Sequence, residues 1–147
     1  MYLTLFSFTG IAMLSWLMLI FLPTWRVTKK IAELEIFPVY LAVLYVVGIV
    51  PLLMKTGLGI IQDFGNAEGV IKLLAQPDIA LVAWIHILAF DQFVGLFIYR
   101  DNMKNIYLPV PLQSVLLFFT LMFGPAGYLA YYVLRLFRLN RVNEKKE

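Results

Sequence analysis

The chain has no cysteine and a single histidine, His86. Without thiols there is no disulfide, no thiolate nucleophile and no Cys-based metal centre. With one imidazole left, a structural zinc site is excluded as well, because such sites draw on several Cys and His ligands. No metal and no cofactor is expected. Charge is also scarce, at 14% of residues. Residues 1–25 and 105–134 carry none. The cations form no soluble basic surface, so nucleic-acid binding is excluded too.

What is abundant is hydrocarbon. Hydrophobic residues make up 62% of the chain and the mean hydropathy is +0.85, against about 45–50% apolar residues in a soluble domain. The expected fold is all-α: a polytopic membrane protein of one domain, with four transmembrane helices in a bundle. A crossing needs about 20 apolar residues, and four runs qualify, at about 2–22, 36–54, 79–99 and 111–136. The first lacks the basic n-region of a signal peptide and is too long for its core, so it is expected to be retained. Between the second and third runs, Gly57, Gly59, Gly65 and Gly69 break up the chain. A short amphipathic piece capped by Asn66 there predicts an interfacial or re-entrant segment. Asp78 is the expected N-cap of the third helix.

Four crossings put both termini on one side. The basic tail, 137–147, follows Arg135 and predicts a cytoplasmic C-terminus by the positive-inside rule. Lys55 and Lys72 then fall inside, and Arg26, Lys29, Lys30, Arg100 and Lys104 fall outside. Membrane lipid is the expected partner, with no protein partner indicated.

The third run holds the most informative residues. It places His86 and Asp91 among apolar side chains, and an ionisable group in hydrocarbon costs at least a few kcal/mol, so both are candidate functional residues. On a helix they stand about 140° and about 7.5 Å apart, not a ready pair. Phe90, Phe93, Phe97 and Arg100 share the His86 line. Ala80, Trp84 and Gly95 share the Asp91 line, where small residues admit a neighbouring helix. Counting depths from a turn at 100–108 puts Asp91 opposite Thr120 and His86 opposite Gly124-Pro125. Pro125 removes a backbone donor and predicts a kink in the fourth helix. Tyr128, Tyr131 and Tyr132 read as an interfacial aromatic belt.

The segments Trp84-Ile85-His86, Phe90-Asp91, Phe93-Val94-Gly95, Tyr99-Arg100-Asp101 and Phe123-Gly124-Pro125-Ala126-Gly127 resemble the motif set of the abscisic-acid-deficient-4-like family. Asp63-Phe64, Glu68-Gly69-Val70 and Gln76-Pro77 resemble its loop before the third helix. Plant members are linked to neoxanthin synthesis in plastids, so the resemblance implies a carotenoid or other isoprenoid partner. The implied reaction is an isomerisation that opens a xanthophyll epoxide into an allenic alcohol. It needs an acid at the epoxide oxygen and a base at a C–H, roles that fall to His86 and Asp91. Trp84, Phe90, Phe93 and Phe97 would line the polyene slot, and Arg100 would hold the helix end. Gly95, together with Arg100 and with Thr120, Gly124 and Pro125 on the facing helix, would complete the implied substrate-binding set. The N-terminal sequence lacks the polar, Arg/Ser-rich character of a transit peptide, so a bacterial inner membrane is expected. The competing readings are a non-catalytic carotenoid- or lipid-binding assembly factor and a small transporter or proton relay.

Overall fold

Backbone amides in hydrocarbon must be satisfied within their own segment, which leaves apolar runs such as these the helix as the spanning form. A computed structural model describes residues 1–57 and 59–144, and among them every regular element is an α-helix. The elements are α1 (Tyr2–Thr9), α2 (Ala12–Phe21), α3 (Arg26–Glu33), α4 (Ile36–Thr56), α5 (Ile60–Asp63), α6 (Ala67–Leu74), α7 (Pro77–Asn105), α8 (Val110–Phe123) and α9 (Pro125–Glu144). Lys145 and Lys146 of the expected tail lie outside the described residues.

Three stretches are long and apolar enough to cross a membrane: Tyr2–Phe21, Ile36–Thr56 and Pro77–Asn105. The 21 residues of α4 rise about 31 Å, close to a hydrocarbon thickness of about 30 Å. Each face that packs inward is set by large apolar residues. Leu5, Leu41, Leu44, Ile85 and Ala89 join α1, α4 and α7. Trp16, Leu19, Leu96, Tyr99, Leu117 and Tyr131 join α2, α7, α8 and α9 nearer the other end. The outward faces of the same helices stay apolar and exposed, as at Val43, Val47 and Val50 on α4, which is the pattern of a lipid-facing surface.

The expected cap at Asn66 is present: its side chain accepts from the Gly69 amide at 2.7 Å. Asp78 is not the cap of α7. Gln76 takes that position, because Pro77 needs no amide partner and fits the first helical position. The third helix also runs farther than expected, to Asn105. Ile106, left-handed at φ 53°, ends it, and Asn102 fastens the turn that follows. Its amide nitrogen donates to the Leu108 carbonyl at 3.0 Å and to Gln113 Oε1 at 2.7 Å, while its oxygen accepts from the Leu108 amide at 2.8 Å.

The fourth expected crossing, 111–136, is not one helix. At 14 residues, α8 rises only about 21 Å and stops at Gly124, whose φ 40° and ψ −96° suit glycine alone. There the chain folds back, whereas a kink was expected. A Cβ on Gly127 would meet the Thr120 backbone at 2.6 Å, so α8 and α9 touch on either side of the bend. Going away from it, α9 climbs back along α7. Tyr128 lies 5.9 Å from the Phe97 ring, Tyr131 donates to Asp101 Oδ2 at 2.7 Å, and Arg135 pairs with Asp101 at 3.3 Å. The expectation that Arg135 sits at the opposite end of the bundle is thus corrected. Tyr131, 1% exposed, is core rather than interfacial belt.

Candidate functional site

Asp91 lies midway along α7, and its carboxylate packs directly on Gly124 at the α8–α9 bend. A Cβ at Gly124 would stand 3.0 Å from the Asp91 carboxyl carbon. The depth count from a turn at 100–108 was therefore one helical turn off. The longer α7 slides the register so that Gln113 meets Asn102 and Gly124 meets Asp91. Thr120 lies one turn before the bend: fully buried, it donates to its own helix at the Leu116 carbonyl, 2.8 Å, and abuts Gly127. Pro125 opens α9 and, lacking an N–H, leaves no stranded donor at the bend.

His86 is elsewhere. Its ring lies between Tyr45 on α4, at 5.1 Å, and Phe90, at 4.7 Å, on the exposed side of α7. Because α7 is unbroken between His86 and Asp91, the two keep the 140° separation of an ideal helix. No hydrogen bond or ion pair joins them among the described residues.

The aromatic residues divide in the same way. Phe93, Val94, Phe97 and Tyr128 line an open groove of about 360 Å³. A neighbouring hollow of about 400 Å³ shares Phe93 and Phe97 and ends at Glu35, Arg100, Asp101 and Lys104. Val94 is three residues after Asp91 and so on the adjacent part of the helix surface, while the two linings start at Phe93 and run toward the charged end of α7. Phe90 continues the stripe, 6.5 Å from Phe93. Arg100 pairs with Glu35 and donates to the Glu33 carbonyl at 3.1 Å, which ties α7 to the α3–α4 corner. Trp84 is exposed and shares none of these contacts. Gly95 belongs to the scaffold: the Trp16 ring of α2 occupies the space its side chain would fill.

The profile of the ABA DEFICIENT 4-like family matches residues 4–131. The chain belongs to that family. No curated protein and no solved structure matches it significantly. As an ABA DEFICIENT 4-like protein with three helices apolar enough to span, it is an integral membrane protein of a family related to xanthophyll biosynthesis. The match takes in Asp91, the groove and the bend at Gly124 alike.

Two polar features of this ABA DEFICIENT 4-like chain were missed in the sequence. Gln92, next to Asp91, is fully buried and donates to Ser15 Oγ at 2.8 Å, a side-chain bond between α2 and α7. Tyr45 faces His86 from α4. Gln92 had a legible signal, since an amide inside an apolar run needs an interhelical partner. Tyr45 had none, because its neighbour is set by helix packing alone.

Proposed function

We propose that the protein takes a long isoprenoid, a carotenoid, from the lipid phase into the groove along α7 and α9, and that Asp91 acts on it as acid and base. The observation that carries this reading is the Asp91 carboxylate held against the Gly124 bend, on the same helix as the aromatic groove of Phe93, Phe97 and Tyr128. Aromatic faces suit a polyene, and the groove is open sideways, where a lipid-soluble substrate arrives. In an epoxide isomerisation one C–O bond breaks, the oxygen gains a proton and a neighbouring C–H loses one. No atoms are exchanged with solvent, so a carboxyl group that gives a proton and takes one back suffices. His86, which lies apart from Asp91, flanks the polyene at the Phe90 end of the stripe in this reading. The segment 59–76 lies at the membrane surface and re-enters only its edge in this reading.

The separation of His86 from Asp91 on α7, about 140° apart around the helix, favours a second reading: a non-catalytic carotenoid-binding assembly factor. One experiment separates the two. Protein purified in mild detergent from carotenoid-producing cells is expected to show carotenoid absorption bands, and Asp91→Asn, which keeps size and hydrogen-bonding capacity, should retain the pigment but lose its conversion. Retained conversion would leave the binding reading. Colourless wild-type protein carrying only phospholipid would sink both.

A further inference from the structure

The fold-back at Gly124 bears on how the chain sits in the membrane. By its length, α8 reaches about two-thirds of the way across the hydrocarbon, and its tip contacts Asp91, 14 residues before the end of α7. The return of α9 is fixed at three heights, by Phe97–Tyr128, by Asp101–Tyr131 and by Arg135, whose guanidinium pairs with Asp101 and stacks 5.1 Å over Tyr107 in the α7–α8 turn. The bend is compatible with lipid depth: the Gly124 amide donates to Thr120 at 2.7 Å, its carbonyl accepts from Gly127 at 3.1 Å, and Pro125 has no donor to satisfy.

Charge supplies an independent observation. With α9 folded back, Arg26, Lys29 and Lys30 of α3, Arg100 and Lys104 of α7, and Arg135 of α9 all lie at one end of the bundle. The other end carries Lys55, at the end of α4, and Lys72, on α6. A fourth crossing would spread the cations over both sides. A hairpin collects them on one, and cations within short loops mark the cytoplasmic side.

We propose that α8 and α9 form a re-entrant hairpin that enters and leaves the bilayer on the cytoplasmic side. The chain then crosses three times, Met1 and the end of α9 lie on opposite sides, and the basic end faces the anionic headgroups of the cytoplasmic leaflet. The hairpin tip places the Gly124 bend inside the bilayer beside Asp91.

The absence of cysteine makes the test direct. Single substitutions Thr24→Cys, Gln62→Cys, Asn105→Cys and Arg138→Cys, all at exposed positions, are labelled in intact cells and in inverted vesicles with a membrane-impermeant maleimide. Thr24→Cys, Asn105→Cys and Arg138→Cys should react only in inverted vesicles, and Gln62→Cys only in intact cells. Arg138→Cys reacting together with Gln62→Cys, or from neither side, overturns the hairpin. All four patterns reversed overturns the orientation. A variant that does not accumulate is replaced at its neighbour, Lys104→Cys for Asn105 or Phe137→Cys for Arg138, with the same expectation.

Discussion

Replacing Gly124 by alanine probes the contact on which the site depends. Two costs add. The φ 40°, ψ −96° backbone is foreign to any residue with a Cβ, at about 1–3 kcal/mol. The new methyl also collides with the Asp91 carboxylate, and overpacking of this kind costs about 1–3 kcal/mol. Gly124→Ala should therefore destabilise by about 2–6 kcal/mol. Only the second part depends on Asp91. In an Asp91→Ala background the carboxylate is gone, and Gly124→Ala should cost the backbone share alone. A double-mutant cycle, read by reversible unfolding in mixed detergent micelles, should return a coupling of about 1–3 kcal/mol, with the pair less unstable than the sum of the singles. Additive costs would mean that Asp91 does not rest on the bend, and the site as described would be wrong.

Two further substitutions test the scaffold around it. Gly95→Ala places a methyl 2.7 Å from Trp16 Cζ3 and should cost about 1–3 kcal/mol; Trp16→Phe in the same chain should recover part of that loss in a thermal-shift assay, and no recovery would place the strain elsewhere. Asn102→Leu removes the three side-chain hydrogen bonds that Asn102 makes across the α7–α8 turn and leaves buried groups of Leu108 and Gln113 unpaired. It should cost about 2–4 kcal/mol, and proteolysis between Asn105 and Val110 should accelerate at once if the turn is what fails.

Hydrophobic run length and the dearth of charge were enough to read an all-helical membrane protein, because hydrocarbon leaves a chain little choice but helix. They placed α4 and the middle of α7 closely, and the motif residues placed the family. Asp91 stood out as a polar group with no nearby partner in sequence, and Gly124-Pro125 as a break, because each violates a local rule that composition alone exposes. Their meeting was a matter of register. The α7 helix runs to Asn105 before turning at Ile106, and that added turn brings Gly124, in place of Thr120, to Asp91. Sequence likewise marked residues 111–136 as apolar without revealing that they reverse. An apolar run reports burial in lipid and carries no record of direction. Direction came from a glycine at φ 40°, from backbone contact between Gly127 and Thr120, and from Asp101 holding both Tyr131 and Arg135, contacts between residues up to 34 positions apart that only the folded chain brings together.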